Sequence, residues 1–177
     1  MTGEKVLVAG VGNIFLGDDG FGVEVVRRLA GTDLPGWVRV EDYGIRGVHL
    51  AYDLVGADHE LTIMVDATAR GDPPGTVSVI ELDIPETVNM APDQVPLLDA
   101  HGMQPDVVLG LVGLLGGEPG RVLLVGCEPQ VLDHGMDLSA AVERAVDTAV
   151  RVVTGLIARY PFGTGEELAC ALASLGK

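Results

Sequence analysis

Three short stretches of this chain hold side chains suited to chemistry. In "VAGVGNIFLGDDGFG" (Val8 to Gly22) a glycine-rich turn ends in two adjacent acids, Asp18 and Asp19. Asp66 follows the apolar run "LTIMV", and His101 stands in "LLDAHGMQPD". An acid placed after a buried run costs desolvation unless it is paired, solvated or bound to a cation. One acid of the first pair, Asp66 and His101 would together form an oxygen- and nitrogen-donor set. Such a set can take a first-row divalent ion and leave coordination positions open. Each member also has a plainer role. Asp18 and Asp19 can cap a helix and complement its dipole, Asp66 can cap a turn, and His101 can be an ordinary loop histidine.

The same glycine-rich loop begins like a phosphate cradle. Gly10 and Gly12 match the first two glycines of G-x-G-x-x-G, but Phe15 takes the third position and no Gly-Lys-Ser/Thr follows. A helix N-terminus attracts anions, and here the chain's own carboxylates already occupy that place. A bound phosphate would meet two negative charges with no basic residue nearby, so a nucleotide site is the least favoured reading of the loop, and a metal-facing turn and a plain helix cap both stay open. The chain has no nucleophile elbow, no Cys/His pair with a local signature and no HExxH helix.

The elements that must position these residues follow from hydrophobic pattern. "KVLVAGV" and "ELTIMVDA" are continuous apolar runs that suit strands buried on both faces, as does "RVLLVGCEP". "GFGVEVVRRLA" has helical spacing, and "WVRVEDYG" alternates as a strand before the short helix "GVHLAYDLVG". "TARGDPPG" is too short for a helical crossover, so the next strand, "TVSVIEL", is expected to run antiparallel. The stretch from Asp83 to Asp99 reads as a long surface loop. "PDVVLGLVGLLGG" is a helix entered through Pro105, and "DLSAAVERAVDTAVRVVTGLIARY" is a long amphipathic helix capped by Ser139 or Asp137. This order predicts a three-layer α/β domain over residues 1–160 with helices on both faces of a mostly parallel sheet containing one antiparallel strand, followed by a tail over 161–177. Right-handed crossovers would set the first and third strands side by side, bringing Asp18/Asp19 and Asp66 to one rim.

Composition narrows the class. The 177 residues carry 11 basic and 26 acidic side chains, a net charge of −15 that opposes binding to nucleic acid. No apolar stretch is long enough for a membrane span, and the N-terminus lacks the pattern of a signal peptide, so a cytoplasmic protein is expected. Cys127 and Cys170 form no CxxC pair; Cys127 is expected to be buried at a strand end and Cys170 to lie in the tail. His49 is expected mid-helix, and His59 and His134 in solvent.

"VLVAGVGNIFLGDDGFGVEVVRRL" resembles the opening of the hydrogenase maturation proteases, endopeptidases that trim the C-terminal extension from the large subunit of nickel–iron hydrogenases. "MVDA", "DAHGMQPDVVLGLVGLLG" and "LLVGCEPQVLDHGMDLSAAVERAV" resemble further family segments in the same order, over roughly Lys5 to Ala158. The resemblance implies a twisted five-stranded sheet with helices on both faces. It also implies a site in which Asp19, Asp66 and His101 act on the substrate and bind metal. The nickel would be carried by the large-subunit precursor; zinc would accept the same three ligands, as would cadmium in crystals. Asn13, Asp18, Asp42 and Gly44 would face the substrate, with Asp18 supporting the loop or capping the helix and mattering less than Asp19. The family's usual Asp-Gly-Gly-Thr is here Asp42-Tyr43-Gly44-Ile45, which leaves the particular hydrogenase open. The expected protein is a monomer. Its alternatives are a zinc peptidase or amidohydrolase with a resident metal, and a nickel-binding maturation chaperone without catalysis.

Overall fold

Strands β1 (Val6–Val11), β3 (Leu61–Ala67) and β5 (Arg121–Cys127) are the three apolar runs, and nearly every residue in them is buried. The computed structural model describes residues 4–56, 58–83 and 104–160. Two further strands complete a five-stranded sheet: β2 (Val38–Gly44) on the outer side of β1 and β4 (Val77–Leu82) on the outer side of β5. The order is β2-β1-β3-β5-β4. Four strands run parallel, and β4 alone is antiparallel, from Val77 opposite Cys127 to Leu82 opposite Val122. That reversal follows from the short turn before it, which leaves no room for a crossover.

Alternate residues of the central strands feed two cores. Val6, Val8, Ile63, Val65, Leu123 and Val125 pack under α1 (Phe21–Ala30) and α4 (Ala140–Arg159). Leu7, Ala9, Val11, Met64 and Leu124 pack under α2 (Gly47–Gly56) and α3 (Pro105–Leu114). In α1 the predicted stripe Phe21, Val25, Val26 and Leu29 is wholly inside. Each such side chain contributes about 1.5–3 kcal/mol on burial. Ser139 is the N-cap of α4, its hydroxyl accepting from Val142 N at 3.4 Å, so it and not Asp137 takes that role. Cys127 is buried as expected, and burial pushes its thiol up to about 12.

His59 departs from expectation. It is buried, with Nδ1 3.2 Å from the Glu4 carbonyl, because the chain entering β3 is pinned against the start of β1 by Glu60 N and Leu61 N donating to Lys5 O. His49 and His134 are exposed. The long loop expected over 83–99 and the tail over 161–177, with Cys170, lie outside the described residues apart from Asp83. No helix among the described residues is long and apolar enough to cross a membrane.

Candidate active site

The chain leaves β1 toward β2 on one side and reaches β3 on the other, so the strand order reverses at β1. In open α/β sheets the crevice beyond the carboxyl ends of such strands is where ligands bind. Here that crevice lies between the loop after β1 and the end of β3, which pairs in parallel with β1 from Val6/Leu61 to Gly10/Val65. Asp66 is the next residue of β3 and is buried.

The loop after β1 is shaped by glycines. Gly12 has φ +131°, and a Cβ there would stand 1.9 Å from the Asp19 carbonyl oxygen. This close approach lets Asp19 fold back so that its Oδ2 accepts from Asn13 N at 2.7 Å. Asn13 Oδ1 in turn accepts from Phe15 N at 2.9 Å, closing the turn. Gly22, at the start of α1, has no room for a Cβ: Val65 O would lie at 2.1 Å and Val11 O at 2.4 Å. Gly22 therefore provides the tight helix-on-sheet contact that a dinucleotide fold obtains from its third glycine. The residues gained between Gly12 and Gly22 hold a 3-10 turn, Gly17–Gly20, that contains both acids.

Asp18 caps no helix; it is a buried clamp. Its Oδ2 accepts from Gln130 N (2.8 Å), Val131 N (2.8 Å) and Ser139 Oγ (2.9 Å), and its Oδ1 from Ser139 N (2.6 Å). Burial works against the charged form, but these bonds outweigh it and hold the carboxyl below its ordinary range. Backbone pairing reinforces the clamp: Gly17 N donates to Gly135 O at 2.8 Å and Gly135 N to Phe15 O at 3.0 Å. The loop carrying Asp19 is thus laced to the segment between β5 and α4.

Asp66 stands at the opposite electrostatic extreme. Burial, and next the charge of Asp19, push its carboxyl well above the ordinary range; the Ala67 backbone N–H lowers it, and Asp106 raises it further. The charge of Asp19, far away in sequence, therefore reaches Asp66 across the switch point of the sheet. Asp106 lies in the first turn of α3, which begins at Pro105. His101 lies outside the described residues. Among the described residues no group of three or more His, Cys, Asp or Glu side chains is placed to hold a metal ion. The carboxylate pair by itself is a hard oxygen-donor set that a divalent cation would relieve, and its chemistry does not separate nickel from zinc.

Gly44 joins this cluster. Its φ is +50° and its carbonyl accepts from Gly12 N at 3.0 Å, while a Cβ on it would lie 3.5 Å from Asp42 Oδ1. The pairing of β1 with β2 shifts register here, from Gly10/Asp42 to Val11/Gly44, so Tyr43 is the extra residue. Its ring turns into the core beneath α2, and its hydroxyl donates to Asp53 Oδ2 at 2.6 Å. The bulk at Tyr43 therefore points away from the site. Ile45, 59% exposed, carries the sequence departure to the surface.

Three residues near the site carried no sequence signal. Glu128 accepts from Arg70 N (2.7 Å) and Gly71 N (3.3 Å) and fastens the turn after Asp66. Asp106 adds negative charge. The Thr68 hydroxyl is buried and has no hydrogen-bond partner among the described residues, and its atoms are the nearest to the position a Cβ on Gly126 would take.

The profile of the hydrogenase maturation protease family matches residues 23–156. The hydrogenase expression/formation protein HupD of Rhodobacter capsulatus is 37% identical over 83% of this chain and 68% of its own length. The hydrogenase 2 maturation protease of Escherichia coli is 32% identical over 84% of this chain and 88% of its own. Among solved structures, the hydrogenase maturating endopeptidase HybD from E. coli superposes with a TM-score of 0.71 at 29% identity, over 89% of this chain and 94% of that one.

Proposed function

Because this chain belongs to the hydrogenase maturation protease family, we propose that it removes the C-terminal extension from the large-subunit precursor of a nickel–iron hydrogenase. The precursor's own nickel serves as the recognition element. The observation that supports this reading is the like-charged pair Asp19 and Asp66 at the switch point of the sheet. Such a pair gains most from a partner that brings a cation with it. His101 is the third contact in this scheme.

The reaction adds water across one peptide bond. The water oxygen joins the carbonyl carbon, the C–N bond breaks, and a proton reaches the leaving amine. Asp66, buried and within the field of Asp19, would take the proton from the attacking water once the incoming cation favours its ionised form. Asp19, fixed by the Asn13 N–H, orients the substrate's metal centre and with it the scissile bond. A precursor without nickel lacks that anchor, which makes cleavage a checkpoint on metal insertion. The protein works as a cytoplasmic monomer in this reading.

The test mixes the purified protein with nickel-loaded and nickel-free precursor and follows intact mass. Cleavage confined to the loaded form supports the proposal. Cleavage of both forms overturns the recognition step and favours a resident metal on the same residues. Nickel-dependent binding with no loss of the peptide favours a chaperone without catalysis.

A further inference from the structure

Resting on the function just proposed, we infer that the surface on which the precursor docks is the laced double loop beside Asp19. Its anchors are Phe15, Val131, Leu132 and Met136, with Ile45 on the opposite rim.

On a chain with net charge −15, large apolar side chains left in solvent invite an explanation when they cluster. Phe15 is 58% exposed, Val131 42%, Leu132 50% and Met136 68%. They come from two segments distant in sequence that the fold binds together. Leu16 bridges Gly135, Gly135 N donates to Phe15 O, and Asp18 N donates to Val131 O at 2.8 Å. The backbone under these side chains is therefore held firmly, so docking on it orders little chain and costs little entropy. Phe15 N donates to the side chain of Asn13, and Asn13 N holds the Asp19 carboxylate, so the patch is continuous with the acidic crevice. Ile45 follows Gly44, which is bonded to Gly12 on the other flank.

The arrangement is an acidic centre with apolar side chains on two flanks. Its complement is a folded protein whose cationic, metal-bearing centre is surrounded by apolar residues. A free peptide or a small anion has no use for this pattern. Met136 supplies adaptable apolar contact and Phe15 a rigid one, the residue types that dominate interface cores.

A second exposed stripe, Val48, Tyr52 and Val55 on α2, serves as the control. The experiment measures kcat and KM for nickel-loaded precursor with the wild type, Phe15→Ser/Met136→Ser and Tyr52→Ser/Val55→Ser, with melting curves for all three. We expect the loop variant to raise KM about tenfold or more, as loss of two apolar anchors does, with the change in kcat less than about twofold. The α2 variant should match the wild type. An unchanged kcat/KM in the loop variant, or a raised KM in the α2 variant alone, would overturn the inference. If the wild type cuts no precursor, the functional proposal fails by itself. Docking is then judged by the affinity of each variant for immobilised precursor, and wild-type affinity in the loop variant refutes it.

Discussion

Replacing Asp18 by Asn removes one negative charge and almost no volume, yet it should cost the fold heavily. The carboxylate presents acceptors to three backbone N–H groups and one hydroxyl. A carboxamide has one acceptor oxygen. Turned to keep the bonds of Oδ2 with Gln130, Val131 and Ser139 Oγ, it sets its NH2 against the Ser139 N–H, donor against donor. An unpaired buried donor costs about 1–3 kcal/mol, and the remaining bonds lose their charge assistance, for a total of about 2–4 kcal/mol. In a chain of this size that lowers the melting temperature by about 5–15 °C. The assay is urea unfolding at pH 7 of the wild type, Asp18→Asn, Ser139→Ala and the double variant, followed by circular dichroism. Ser139→Ala alone should cost about 1–2 kcal/mol because it also removes the α4 cap, and the two changes should be strongly non-additive. The acid limb gives a separate check. The folded Asp18 carboxyl is depressed, so its stabilisation is complete above the ordinary carboxylate range and is lost as pH falls through the folded value. The gap between wild type and Asp18→Asn should therefore close in acid. An Asp18→Asn protein within about 0.5 kcal/mol of the wild type at pH 7, the scatter of ordinary surface changes, would refute the reasoning.

Asp66→Asn should abolish cleavage while stabilising the free protein, since it removes a carboxyl whose charged form is disfavoured by burial and next by the charge of Asp19; the same urea series measures it. Asp19→Asn and His101→Ala should each abolish processing with melting curves unchanged, and normal processing by either would remove that residue from the site. Gly22→Ala should destabilise by at least about 3 kcal/mol, because the added methyl meets two carbonyl oxygens of the sheet; a soluble variant with wild-type melting would show that α1 can lift away freely. Cys127 should resist alkylation at pH 8 in the folded protein, its thiol being buried and pushed up to about 12; peptide mass mapping after iodoacetamide reads this directly.

What the sequence discloses here divides by distance along the chain. Five strands and four helices of the described residues are legible because each rests on a local pattern, and the antiparallel turn of β4 is legible because eight residues cannot carry a crossover. The approach of Asp19 to Asp66 is legible through topology alone, since both follow strands that the handedness rule makes neighbours. Asp18 was not legible in the same way. By type and position it reads as the lesser of two acids, a cap or a support. Its four partners come from Gln130, Val131 and Ser139, and no local signal points that far. The burial of His59 and the charge of Asp106 beside Asp66 are likewise products of packing. Tyr43 shows the converse: it reads as bulk added near a site, and a one-residue bulge sends it into the core.

The bonds between Asp18 and Ser139 span 121 residues, and that separation sets an order of events. Contacts between residues so far apart form late, after the intervening chain has collapsed. On the ribosome, β1 to β4 emerge well before β5 and α4. Until those last elements dock, the loop that carries Asp19 is tied to β2 through Gly12 and Gly44 but lacks the clamp on Asp18. The clamp that steadies the Asp19 loop thus arrives last, with completion of the domain, a sequence of events written into chain order.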